Sequence, residues 1–252
     1  MNIGIIGAGP LGTTLARKFS DAGHAVKIAN SQQPETLASV ALETGATAVT
    51  ASDALKDVDV VVVSIPMKGI DHLPKGLFDE VSGDVVIIDT TNYYPKRDGR
   101  IGELDQGKIE SRYVSGRIGR PVIKGFNNML SQVLATEGKP AGAADRIAIP
   151  VAGDDEKAKG IALALVDIAG FDGVDAGTLD TSWRQQPGTP VYCTDYDVEG
   201  VRAALIRADK ASAPKNRDIV WEKFAQIPAG SKSDVFSMLI RKINRSTNEQ
   251  AE

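Results

Sequence analysis

Three glycines near the start of the chain carry its clearest chemistry. Gly7, Gly9 and Gly12 stand in "GAGPLG", after a short apolar run and before a helical pattern. That spacing in that context is a turn for the pyrophosphate of a dinucleotide. Gly7 permits the tight turn. Gly9 removes a side chain where the phosphates approach the backbone. Gly12 lets helix and strand pack closely. Pro10 and Leu11 open the helix, whose first N–H groups face the phosphate charge. Proline loses nothing there, since those donors have no helical partner.

The next informative residues are marked by a missing group. The second strand, "HAVKIA", ends in Ala29, Asn30, Ser31 and Gln32, without a carboxylate. An acid at this place accepts from the ribose hydroxyls of NAD and repels the 2′-phosphate of NADP. Neutral Asn30, Ser31 and Gln32 tolerate or bind that phosphate, so the physics favours NADP. No Arg stands beside them, and Lys27 lies within the strand. The competing reading is a polar loop before a helix cap, with NAD as the cofactor.

In doubly wound sheets, ligands sit outside the carboxyl ends of the strands. One strand end here is Ser64, Ile65, Pro66 and Met67, a small hydroxyl and an apolar wall where a nicotinamide would pass. Another is Asp89, Thr90, Thr91 and Asn92. Asp89 reads as a loop cap rather than a general base. Lys124, before "GFNN", either faces the cleft or is solvated. No Ser/His/Asp set or carboxylate dyad stands out. Hydride transfer between two flat rings is compatible with that, because it needs orientation and a dry cleft more than acid–base groups.

The elements that must position these residues alternate. "NIGIIG", "HAVKIA", "ATAVT", "DVVVVSIP" and "DVVIIDTT" read as strands, and "PLGTTLARKFSDAG" and "PETLASVALETG" as helices between them. Ser52 is expected to cap the short helix "DALKDV". "PVIKGFN" and "DRIAIPVAG" read as further strands, and "DDEKAKGIALALVDIAG" as a helix started by Asp154. "FDGVDAG" reads as the last strand of the sheet. Continuous β-branched runs indicate strands buried on both faces. The fold class is α/β, a doubly wound Rossmann-type parallel sheet with a smaller, mostly helical carboxyl-terminal part. Residues 1–180 are expected to form the dinucleotide-binding domain. Residues 181–252 are expected to form a helical extension that covers the cleft or builds a dimer. Its last helix carries Phe236, Leu239, Ile240 and Ile243 in one stripe, and "STNEQAE" is expected to be disordered.

Composition narrows the functional classes. The 252 residues carry a net charge of −4, which argues against a general nucleic-acid binder. Cys193 is the single cysteine, so the chain has no internal disulfide, and two histidines make no persuasive metal site. No apolar run reaches the roughly 18 residues of a membrane helix. The chain reads as a cytoplasmic protein.

Taken together, "NIGIIGAGPLG", "IANSQQPETL", "VVVSIP", "IAIPVAGDDEKAK", "VDAGTL" and "QQPGTPVY" resemble the coenzyme F420-dependent NADP oxidoreductases. "DTTNYYPKRDGRI" is similar to their bacterial branch. The resemblance implies hydride transfer between NADP and a deazaflavin or flavin-like small-molecule acceptor, in a homodimer. It places the acceptor near "SIP" and "KGFNNM", which nominates Ser64, Ile65, Pro66, Phe126 and Asn127. Asn127 is then the catalytic candidate, orienting the acceptor. The chain departs from the family in having Ser31 and Gln32 where Ser-Arg is usual, and "GFNN" where a His is usual. Two other readings stay open: reduction of a small carbonyl or imine, and non-enzymatic NADP binding.

Overall fold

Val60–Val63 and Val86–Asp89 contain no exposed residue. Strands so completely buried must be covered on both faces, and they form the centre of a parallel sheet. The computed structural model describes residues 1–227 and 233–249. In chain order the elements are β1 (Asn2–Ile6), α1 (Pro10–Asp21), β2 (Ala25–Ala29), α2 (Ala38–Thr44), β3 (Thr47–Ala48), β4 (Val60–Val63), α3 (Met67–Ile70), β5 (Val86–Asp89), α4 (Pro95–Asp98), α5 (Gly102–Asp105), α6 (Glu110–Ile118), β6 (Ile123–Lys124) and α7 (Ser131–Thr136). They continue with β7 (Ala148–Val151), α8 (Glu156–Ile168), β8 (Asp172–Asp175), α9 (Val198–Arg207), α10 (Ala213–Phe224) and α11 (Ser233–Glu249). The strand order β3-β2-β1-β4-β5-β6, all parallel, is that of a Rossmann sheet.

Alternation along the strands divides the core in two. Val60 and Val62 face one side, with Ile3, Ile5, Leu15 and Phe19. Val61 and Val63 face the other, with Ile6, Ile87, Tyr93 and Tyr113. The first layer continues into α8 through Ala162, Leu165 and Val166.

Several local expectations are corrected. "FDGVDAG" is not the last strand of the main sheet. It pairs in parallel with β7 as a separate two-stranded sheet. β6 is only two residues long, and its link to that pair is one antiparallel bridge, Lys124 to Ala152. Helix α8 is capped by Asp155, whose side chain accepts from the Ala158 N–H, and not by Asp154. Asp154 instead accepts from the Leu179 N–H and pairs with Arg112. The turn Asp53–Leu55 is likewise held by Thr50, which accepts from the Asp53 N–H, while Ser52 makes no cap bond.

The carboxyl-terminal helices pack differently from their apolar pattern. In α11 the buried residues are Ser237, Ile240, Asn244 and Thr247. Of the expected stripe, Ile240 alone is buried, and Phe236 is 39% exposed. The seat of the helix is polar: Arg241 pairs with Glu137 at 2.8 Å, and Arg245 pairs with Asp195. Residues 246–249 of "STNEQAE" belong to α11 rather than to a disordered tail, and 250–252 lie outside the described residues. No helix among the described residues is long and apolar enough to cross a membrane.

Candidate functional site

The glycine turn joins β1 to α1, and its three glycines meet three different surroundings. Gly7 has φ +117°, and a Cβ on it would lie 2.1 Å from the Ser64 carbonyl oxygen. A Cβ on Gly12 would lie 2.0 Å from the Gly7 oxygen. A Cβ on Gly9 would meet nothing within 4 Å. Gly7 and Gly12 are therefore demanded by packing, whereas the space at Gly9 is open. That space belongs to a cavity of about 400 Å³ lined by Ala8, Pro10, Thr13, Arg17, Ser131 and Gln132, among others. Pro10 is the first residue of α1, so the N–H groups of Leu11 and Gly12 have no helical partner and face this end. The cradle fits a dinucleotide pyrophosphate.

Arg17 escaped the sequence reading. Pro10, Thr13, Thr14 and Arg17 share one helical face, and all line the cavity. Helical periodicity could have found it. Its guanidinium sits 3.5 Å from Glu43 at the surface, and such an exposed pair yields readily to a phosphate.

Beyond β2, the Asn30 side chain shapes the loop. It accepts from the Gln32 N–H at 2.8 Å and donates to the Thr36 hydroxyl at 3.1 Å. Ser31 and Gln32 are consequently held out in solvent. Lys27 is turned away, donating to the Lys56 carbonyl at 2.7 Å. No carboxylate enters the loop between β2 and Pro34.

At the strand exits the expected walls change. Ser64 and Ile65 are half-buried and Pro66 is exposed, but Met67 is fully buried in the core. Met67 is therefore corrected from a cleft wall to a packing residue, because α3 begins at that position and turns its side chain inward. Phe126 is corrected likewise. It has φ +57° and no exposure, and its ring packs edge-on against Phe19 at 6.3 Å.

Asn127 is also buried, and its amide is committed. It donates to the Asn92 side chain at 3.0 Å and to the Gln185 carbonyl at 2.7 Å, and accepts from the Gln185 amide at 3.0 Å. With both amide hydrogens engaged, it cannot also donate to an acceptor carbonyl. Its role is to clamp the β5 exit to the segment 179–185. Asn92 is the half-exposed amide of this network.

Beneath these exits lies a set of buried charges. Asp89 and Lys124 end β5 and β6, directly paired in register, and both are completely buried. Asp89 accepts from the Thr91 N–H at 2.8 Å and from the Ser111 hydroxyl at 2.6 Å. The Lys124 ammonium lies 3.3 Å from Asp89 and 3.9 Å from Glu110, and donates to the Thr91 carbonyl. Lys124 is thus neither cleft-facing nor solvated. Burial pushes the Glu110 carboxyl up from its ordinary value to about 7, against the pull of Lys124, and Asp89 adds to the rise. Glu110 gave no signal in the sequence, where it is one acid among many. Close by, the Tyr94 hydroxyl donates to Tyr192 at 2.7 Å, and burial raises both phenols.

Two outcomes test this geometry. Gly9→Val is expected to unfold at the wild-type temperature and to lose NADP binding, whereas Gly7→Ala is expected to lower the melting temperature. Thermal melts with calorimetric titration check both. The second concerns Glu110. Its folded pKa lies above the unfolded value of 4.5, so its contribution to stability is complete below 4.5 and is lost as pH rises through about 7. Across that window wild type is expected to lose roughly 3 kcal/mol that Glu110→Gln does not lose. Urea unfolding over pH measures it, and a constant difference between the two proteins would contradict it.

Comparison with known proteins agrees with the geometry. The family model for coenzyme F420-dependent NADP oxidoreductases matches residues 2–93. The protein YjhV of Escherichia coli K12 is 32% identical over 125 residues, covering 50% of this chain and 79% of that protein. The crystal structure of the hypothetical protein SMa0349 of Sinorhizobium meliloti is 31% identical, covers 76% of this chain and 92% of its own, and superposes with a TM-score of 0.65. A structure from Arthrobacter sp. FB24, assigned as an F420-dependent NADP reductase, shares the fold at 23% identity, with a TM-score of 0.60 over 73% of this chain and 87% of its own. The chain belongs to the coenzyme F420-dependent NADP oxidoreductase family.

Proposed function

We propose that the protein passes hydride between NADP(H) and a deazaflavin of the coenzyme F420 kind, or a flavin-like acceptor. The observation that carries the reading is the acid-free loop after β2 beside an open glycine cradle, in a family described by coenzyme F420. Gly7, Gly9, Pro10, Leu11 and Gly12 hold the pyrophosphate. Ser31 and Gln32, on a loop built by Asn30, meet the 2′-phosphate. The nicotinamide supplies the hydride at the carboxyl ends of β4 and β5. Ser64, Ile65 and Pro66 line that place, and the half-exposed Asn92 orients the acceptor. Residues 1–180 carry the dinucleotide site, and the described part of the extension, 181–227 and 233–249, closes over the strand exits.

The partner is a second copy of the chain. Val235, Phe236 and Met238 stand exposed on α11, because that helix buries a polar face. Light scattering is expected to give a dimer at micromolar concentration, and Phe236→Asp a monomer.

Cofactor and acceptor are tested together. The protein is expected to bind NADP at least as tightly as NAD, and Ser31→Asp to reverse the order through repulsion of the 2′-phosphate. NADPH oxidation is then followed with deazaflavin, flavin, quinone, carbonyl and imine panels. Turnover with a ketone or imine alone would favour the carbonyl or imine reading. Tight binding without turnover on any panel would favour a binding protein.

A further inference from the structure

Glu110 opens α6 and is 4% exposed. Its Oε2 has no hydrogen-bond partner among the described residues, and neither does the buried Nε2 of Gln186. Both residues line a cavity of about 70 Å³, together with Trp183, Lys210 and Arg217. A polar cavity holds water once it offers roughly 15 Å³ and two to four polar partners. Water in this well connects a buried carboxyl to solvent protons.

The same carboxyl faces the strand exits. Oε2 lies 3.9 Å from the Lys124 ammonium, which lies 3.3 Å from Asp89. One ammonium between two carboxylates leaves an excess negative charge when Glu110 is ionised, and none when it is protonated. A protein interior disfavours the excess charge. The groups that face Glu110 are Lys124 from β6, Asp89 from β5, Arg217 from α10, and the Tyr93 N–H with Tyr94 from the β5 exit. Lys108 and Lys210 line its cavity.

We infer that Glu110 is the proton-holding group coupled to hydride transfer: it keeps its proton while the cleft is uncharged and releases it when positive charge arrives at the ends of β4 and β5. The inference rests on the NADP reading above. The overall reaction, acceptor + NADPH + H⁺ giving reduced acceptor + NADP⁺, consumes one proton and leaves one positive charge in the cleft. Release of the Glu110 proton to the water of the well holds the interior charge constant; the proton taken up by the reduced acceptor comes separately from solvent, and Glu110 is reprotonated when NADP⁺ leaves. Lys124 and Asp89 are positioning residues, since they act through Glu110.

The test is calorimetric titration of the full chain with NADP⁺ and with NADPH, at neutral pH, in two buffers of different ionisation heat. The two ligands share their phosphates, so their difference isolates the ring charge. NADP⁺ is expected to release a larger fraction of a proton than NADPH, and Glu110→Gln is expected to abolish that difference. In wild type alone, the ratio of the two dissociation constants is expected to bend with pH near 7, the value to which burial lifts Glu110. This second measurement needs no variant to fold. Equal proton release with both ligands, or an unchanged difference in a folded Glu110→Gln, would overturn the inference and leave the NADP reading intact. Failure of both dinucleotides to bind would overturn the NADP reading itself and this inference with it.

Discussion

The buried ion pair between Lys124 and Asp89 is the constraint on which the site depends. Both side chains have no exposure, and the register of β5 and β6 sets them side by side. An unpaired charge at that depth costs several kcal/mol, so neither residue can be lost alone without breaking the arrangement. The pair ties together three pieces of chain. The ammonium holds the β5 exit through the Thr91 carbonyl, and the carboxylate holds the first turn of α6 through Ser111. β6 itself has only two residues, so this polar contact replaces strand length as the means of closing the sheet edge.

A second polar layer lies over that pair. Asn92, Asn127 and Gln185 exchange hydrogen bonds between the β5 exit, the β6 exit and the segment 179–185. The Gln185 amide also donates to the Pro150 carbonyl in β7. The two layers explain why no catalytic pair stands out. Apart from the half-exposed Asn92, the polar side chains at these exits are spent on holding the chain together, and the open surface is left to backbone N–H groups, small side chains and Pro66. A cleft of this kind orients flat ligands and does little proton chemistry on its own. Glu110 is buried against this pair, 3.9 Å from the Lys124 ammonium.

The helical extension obeys the same logic. Tyr94, Tyr192, Cys193 and Ile240 form a small cluster with Trp221 and Phe224, which seats α10 and α11 beside the β5 exit. Burial pushes the Cys193 thiol up to about 12, which makes this lone cysteine a packing residue rather than a nucleophile. The rest of the α11 seat is ionic, through Arg241 and Arg245. An apolar stripe on a helix therefore need not mark its buried face when the surface beneath it is charged.

What was legible in the sequence was local. The glycine spacing, the β-branched runs and the missing acid after β2 depend on backbone geometry and on neighbours within a few residues. They determined the Rossmann sheet, the position of the glycine turn and the absence of an acid beside it. What only the tertiary structure decided involved residues far apart in the chain. Asp89 and Lys124 are 35 residues apart, and Asn127 and Gln185 are 58 apart. Whether Lys124 faced the cleft, solvent or a carboxylate depended on the register of two strands, which its neighbours in sequence do not specify. The same holds for Phe126, whose positive φ sends its ring into the core, and for Glu110, whose burial comes from elements on both sides of it. Side-chain chemistry was written in the chain, but the solvent around each charge was set by packing, and that surrounding turned an ordinary glutamate into a titrating group near neutrality.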